Sequence, residues 1–121
     1  MAKQINPNLS NVQKKVLLEH GTEAPFSGEF YLKKGTGTFH CANCDNPIFR
    51  TDEQYDSDCG WPSFTEPITK EAVRYVEDNS FGMSRTEVLC GKCGAHLGHV
   101  FPEASHQRYC INSVALEMKN K

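Results

Sequence analysis

The segment RYCINSVALEMK, residues 108–119, decides how the chain folds. Tyr109 and Ile111 share one parity, whereas Val114, Leu116 and Met118 share the other. Side chains alternate along a strand, so a strand covered on one side cannot bury both sets. Either a bulge near Ser113 reverses the phase, or both faces are covered. Working upstream, HLGHVF (96–101), TEVLC (86–90), NPIFR (46–50), GTFHC (37–41) and EFYLKK (29–34) also read as strands, the last two around the turn GTG at residues 35–37. ITKEAVRYVED (68–78) fits a strand pair or a short helix, and DSDCGWPSFTEP (56–67) is a loop rich in turn residues. At the N-terminal end, SNVQKKVLLEH (10–20) sets Val12, Val16 and Leu17 on one helical stripe. Ser10 is placed to cap that helix and Gly21 to end it in a left-handed turn. The expectation is a mainly β protein, α+β by some schemes, with a short N-terminal helical segment. It forms a single domain over residues 1–121, with residues 1–9 flexible.

Composition narrows the function. The chain has 121 residues and a net charge of −2, with acids and bases interspersed. Nucleic-acid binding needs a clustered positive field, and the longest basic runs are the pairs Lys14-Lys15 and Lys33-Lys34. No apolar run approaches the roughly 20 residues that span a bilayer. The opening MAKQINPNLSN lacks the apolar stretch of an export signal. A cytoplasmic monomer without nucleic-acid or membrane partners is therefore expected, and the glycosylation-type triplet at Asn8 has no role there.

Six cysteines remain to be explained. CANC (41–44) and CGKC (90–93) are two Cys-x-x-Cys pairs. A two-residue gap lets both sulfurs of a tight turn face one ion, and Gly91 and Gly94 suit such a turn. A thioredoxin-like motif would instead need a β-α-β unit and a helix N-terminus to lower a thiol pKa, and none is visible. Cys41, Cys44, Cys90 and Cys93 are expected to hold one structural zinc ion per chain. The 45 residues between Cys44 and Cys90 exceed the spacing of a compact zinc ribbon.

Cys59 and Cys110 are left over. A buried strand cysteine is commonly inert packing. Period-two alternation, however, puts Arg108, Cys110 and Asn112 on one face, and a guanidinium beside a sulfur favours the reactive thiolate. His96 and His99 lie three apart, which a regular strand would send to opposite faces; Gly98 permits a bulge that brings both round. They are structural or they are proton donors. Trp61 is flanked by Gly60 and Pro62, so its ring sits on a turn where it can be shown to a ligand rather than packed.

SDCGWPSF, CGKCGAHLGHVFP and RYCINSVAL, together with GTEAPFSGEF and CANCDNPIF, resemble the methionine-R-sulfoxide reductases of the B type, from about residue 11 to residue 118. That enzyme class repairs one epimer of methionine sulfoxide. The resemblance implies two coiled antiparallel β-sheets with an N-terminal helical segment. It implies that Cys110 attacks the sulfoxide sulfur and becomes a sulfenic acid. Cys59 would then close a Cys59–Cys110 disulfide for thioredoxin to reduce. Trp61 and Phe64 would bind the substrate, with His96, His99, Arg108 and Asn112 around its oxygen. The substrates would be oxidised proteins or peptides, with the free amino acid a poorer one.

One segment departs from the family pattern. After HVFP the family continues with Asp and a longer loop, whereas residues 103–107 read EASHQ. Glu103 takes the acidic place with a carboxylate displaced by roughly 1.5 Å, and His106 is a loop residue. The shortened loop is expected to open the pocket rim and shift substrate preference. Two other functions fit parts of the chain. A zinc-ribbon binding module would leave Cys110 idle, and a peroxide sensor would oxidise Cys110 and Cys59 without acting on sulfoxides.

Overall fold

A computed structural model describes residues 6–19, 21–22, 36–55, 60–79, 82, 84–102 and 107–120. Among the described residues the architecture is one α-helix and two antiparallel sheets. Helix α1 spans Asn11–Glu19. A three-stranded sheet, in the order β2-β1-β9, is built from β1 (Gly37–Cys41), β2 (Pro47–Arg50) and β9 (Leu116–Asn120). The six-stranded sheet runs β3-β4-β8-β7-β6-β5. Its strands are β3 (Gln54–Tyr55), β4 (Ser63–Phe64), β5 (Val73–Asp78), β6 (Arg85–Cys90), β7 (His96–Pro102) and β8 (Gln107–Ile111). Among the described residues no helix is long and apolar enough to cross a membrane.

The phase conflict in residues 108–119 is resolved by a change of sheet. β8 ends at Ile111, a single 3-10 turn covers Ser113–Ala115, and β9 then joins the other sheet. The turn rotates the chain, so Tyr109 and Ile111 are buried from one sheet and Leu116 from the other. The expected single strand is therefore two. Residues 68–78 combine a 3-10 turn at Lys70–Ala72 with strand β5. The expected strand over residues 29–34 lies outside the described residues.

Between the sheets sits an aromatic core. Phe49 stacks on Phe64 at 4.3 Å between ring centroids, and Phe39 meets Phe64 edge-on at 5.4 Å. Ile48, Val88, Leu97 and Ile111 are fully buried around them. Each such side chain contributes about 1.5–3 kcal/mol by leaving water. Helix α1 closes one side with Val16 and Leu17, while Val12 of the same stripe is 57% exposed.

The helix starts with a reciprocal cap. Ser10 Oγ accepts from the Gln13 amide at 3.1 Å, and Gln13 Oε1 accepts from the Ser10 amide at 2.9 Å. At the other end Gly21 donates its N–H to Lys15 O at 2.9 Å. Gly21 is not left-handed, contrary to expectation. It is needed for closeness, because a Cβ there would meet Lys15 O at 2.9 Å. Leu9 is buried, and the Asn6 amide donates to Asn43 Oδ1 at 2.7 Å.

Candidate active site and metal centre

The two Cys-x-x-Cys turns have matching geometry. The Cys41 amide donates to Asn46 O at 2.8 Å, and the Cys90 amide donates to Ala95 O at 2.8 Å. One residue beyond each second cysteine the backbone turns left-handed, with φ 68° at Asp45 and 81° at Gly94. Asp tolerates that region better than most side chains. Gly91 serves by its absent Cβ, which would lie 2.0 Å from Glu71 O. The first turn joins β1 to β2 and the second joins β6 to β7, so each sheet supplies one pair. The long spacing between the pairs is thus the chain needed to build much of the larger sheet.

The four sulfurs lie within 4.8 Å of one another, with Cys41–Cys93 at 3.8 Å and Cys44–Cys90 at 3.5 Å. A tetrahedron with metal–sulfur bonds near 2.3 Å has edges of about 3.8 Å, so the cluster fits one ion. Asn46 Nδ2 donates to Cys90 Sγ at 3.7 Å. Hydrogen bonds from the neighbouring thiols, Cys41 first, pull the Cys90 thiol far down. The same sharing, led by Cys90, holds Cys41 up, and burial followed by Cys90 pushes Cys44 up to about 12. Crowded thiols that compete for protons are a site prepared for a soft cation.

A second cysteine environment lies on the outer face of the larger sheet. The register His99↔Cys110 and Phe101↔Arg108 puts these four side chains on one face of β7 and β8. Ser63 of β4 lies opposite Cys110 on its other side. Gly60, left-handed at φ 97°, turns the chain just before Trp61, and the Ser63 hydroxyl fixes the turn by donating to Trp61 O at 3.1 Å. A cavity of about 160 Å³ results, lined by Trp61, His99, Phe101, Arg108, Cys110 and Asn112, with Arg85, Gly98 and Thr22 completing the wall.

Charges are arranged around the sulfur. Arg108 Nη1 donates to Cys110 Sγ at 3.1 Å. The same guanidinium lies 4.8 Å from the centroid of Phe101, a cation–π contact that steadies it. Asn112 Nδ2 donates to Leu97 O at 3.0 Å, fixing the amide at the cavity wall. Gly98 allows β7 and β8 to approach, since a Cβ there would sit 2.1 Å from Cys110 O. Tyr109, next in sequence to Cys110, points to the opposite face. There its hydroxyl meets Tyr75 at 2.6 Å, and burial followed by that bond raises its pKa.

The histidines divide. In the pairing of β6 with β7, Val88 faces Gly98 and Leu89 faces His96, so Leu97 is the extra residue of a bulge. The bulge brings both imidazoles to one side, edge-on with centroids 5.5 Å apart. His99 lines the cavity; His96 stands behind it, 2% exposed, with Nδ1 donating to Glu87 Oε2 at 2.6 Å. His99 Nε2 donates to Asp78 Oδ2 at 2.8 Å.

The structure thus brings together Trp61, His99, Arg108, Cys110 and Asn112, with His96 one layer back. It does not bring Phe64, whose ring is fully buried against Phe39 and Phe49. That is a correction: β4 turns Phe64 inward because its neighbour Ser63 is the residue paired with Cys110. Cys59 and Glu103 lie outside the described residues. Sequence reasoning missed Phe101, Arg85, Asp78 and Glu87. Phe101 and Arg85 share the Cys110 face once strand pairing is known, but no local motif marks the two acids.

Comparison with known proteins agrees. A family model described as the SelR domain matches residues 9–120. Two proteins of Escherichia coli, from strains K12 / DH10B and O157:H7 (EC4115 / EHEC), each named Peptide methionine sulfoxide reductase MsrB, are 49% identical to this chain over 118 residues. The match covers 95% of this chain and 86% of each relative. A chain matched over nearly its whole length in this way belongs to the SelR-domain family of peptide methionine sulfoxide reductases, which are oxidoreductases.

Proposed function

We propose that this protein reduces the R epimer of methionine sulfoxide in proteins or peptides, and the free amino acid less well, with Cys110 as nucleophile. The carrying observation is the Arg108 guanidinium 3.1 Å from Cys110 Sγ, at a cavity that also holds His99 and Trp61. A positive charge against the sulfur favours the thiolate over the thiol. The thiolate attacks the sulfoxide sulfur while an acid protonates the sulfoxide oxygen, a poor leaving group without that proton. Oxygen and proton end on Cys110 as a sulfenic acid, and the substrate leaves as methionine with its sulfur reduced by two electrons. Cys59 then attacks the sulfenic sulfur, water departs, and a Cys59–Cys110 disulfide remains. Thioredoxin supplies the dithiol that reduces it.

Handedness follows from asymmetry of the walls. The indole of Trp61 offers an apolar face to the S-methyl group, and Arg108, His99 and Asn112 offer polar atoms to the oxygen. With sulfur presented to Cys110, only one epimer satisfies both. His96 acts behind His99, and Glu103 is assigned the acidic place at the rim. Zinc is the ion proposed for Cys41, Cys44, Cys90 and Cys93; it has no redox chemistry and would clamp the two sheets together. The protein is proposed to work as a cytoplasmic monomer.

The test is consumption of each epimer of a peptide methionine sulfoxide with dithiothreitol, by wild type and Cys110→Ser. Loss of the R epimer alone, abolished by the substitution, is expected. Equal consumption of both epimers, or activity that survives in Cys110→Ser, would refute the assignment.

A further inference from the structure

We propose that Asp78 is the positioning residue that sets the tautomer of His99, and so decides which ring nitrogen carries the proton given to the sulfoxide oxygen. This rests on the reduction proposed above. Asp78 ends β5, three strands away from β8, and does not line the cavity. It reaches the site through register. Asp78 lies opposite Arg85, and its Oδ2 accepts from Arg85 Nη2 at 3.1 Å and from His99 Nε2 at 2.8 Å. The carboxylate is partly shielded, with side-chain exposures of 20% for Asp78 and 14% for His99. In that setting a charge-assisted bond fixes geometry better than it would at an open surface.

An ionised carboxylate has lone pairs and no proton to give, so the nitrogen facing it must carry the hydrogen. Neutral His99 is therefore the Nε2–H tautomer with Nδ1 bare. When His99 takes a second proton, that proton resides on Nδ1. His99 is the register partner of Cys110 and lines the cavity. The Nδ1 proton is thus the one available to the sulfoxide oxygen, and the Nε2 proton stays with Asp78 throughout. As Cys110 Sγ attacks, the proton moves from Nδ1 to oxygen and leaves His99 neutral, still donating to Asp78. Arg85, held on the same oxygen, keeps the carboxylate from rotating away.

The neighbouring pair shows that the assignment is specific. Glu87 is opposite His99 in the strand pairing, yet its Oε2 takes His96 Nδ1 at 2.6 Å. The bulge at Leu97 makes that diagonal possible and leaves His99 to Asp78. The two imidazoles are accordingly held through different nitrogens, Nδ1 in His96 and Nε2 in His99. Only the second leaves Nδ1 for chemistry at the cavity.

Two readouts on the full-length, metal-loaded protein test this. One is the ring-nitrogen NMR spectrum of His99, assigned by its loss in His99→Gln. The other is kcat and KM for R-sulfoxide peptide with dithiothreitol. Neutral His99 is expected to show Nε2–H in wild type. Asp78→Ala should lose that preference and lower kcat by about 100-fold with KM within roughly threefold, the size of one acid–base contribution. Asp78→Glu should restore part of kcat and the Nε2–H signal. The proposal is overturned by Nδ1–H in neutral His99 of wild type, which is readable even if Asp78→Ala does not fold. It is also overturned by Asp78→Ala with wild-type kcat, or with reduced kcat and an unchanged His99 tautomer. Wild type that consumes no sulfoxide would instead refute the reduction itself, and the spectrum separates the two failures.

Discussion

Two cysteine environments in this molecule can be set side by side. At Cys41, Cys44, Cys90 and Cys93 the sulfurs face each other, 3.5 Å apart for Cys44–Cys90 and 3.8 Å for Cys41–Cys93. At Cys110 the sulfur faces a cavity and a guanidinium 3.1 Å away. Cys41 and Cys90 end strands and Cys110 lies within one, and all three are buried. Neighbours make the difference: four thiols packed against one another suit a cation, whereas a sulfur beside Arg108 and an open space suits an electrophile. Burial alone therefore says little about what a cysteine does.

The contrast can be broken first at the cluster. Cys90→Ser removes one of the four candidate metal ligands and should cost about 3 kcal/mol or more, roughly 10 °C or more in Tm. Metal content measured on the purified variant should fall well below that of wild type. If Cys90→Ser kept full metal and Tm, the cluster would not be a metal clamp. At the other cysteine, Arg108→Leu removes a charged hydrogen bond worth about 1.5–3 kcal/mol, so kcat/KM should fall roughly 10- to 150-fold. Metal content and Tm should barely move, which sharpens the separation of the two environments.

Smaller effects map the cavity walls. Trp61→Ala should raise KM for the R-sulfoxide about fourfold or more, taking about 0.8 kcal/mol for one methyl group's worth of apolar contact. It should also narrow the ratio of R to S consumption, because the apolar wall proposed to fix handedness is gone. Phe101→Leu takes away the cation–π contact to Arg108, about 0.5–1 kcal/mol, and should lower kcat/KM two- to fivefold. An unchanged value in steady-state kinetics would show that Phe101 does not steady the guanidinium.

What was legible in the sequence follows the distance over which each signal acts. The cap of α1 spans three residues and each cysteine turn spans four, so both could be read without knowing the fold. The Arg108-Cys110-Asn112 face needed only strand alternation. The parity conflict around Ser113 was visible, but its solution, a 3-10 turn between two different sheets, depends on pairings with β1 and β7 that no short window contains. The bulge expected at Gly98 falls at Leu97, and Gly98 itself answers the close approach of β8. Asp78 and Glu87 were not legible, because their meeting with His99 and His96 rests on the register of three strands. Phe64 misled because GWPSF reads as one exposed turn, whereas the last two residues are a strand whose Phe faces the core.

One measurement tests the division most directly. Mix the metal-loaded protein with excess R-sulfoxide peptide in the absence of reductant, quench, and locate the oxidised cysteine by peptide mass spectrometry. About one methionine should form per chain, with Cys110 recovered as a disulfide to Cys59 or as a trapped sulfenic acid. Oxidation confined to Cys41, Cys44, Cys90 or Cys93, with Cys110 unmodified and methionine still formed, would contradict it.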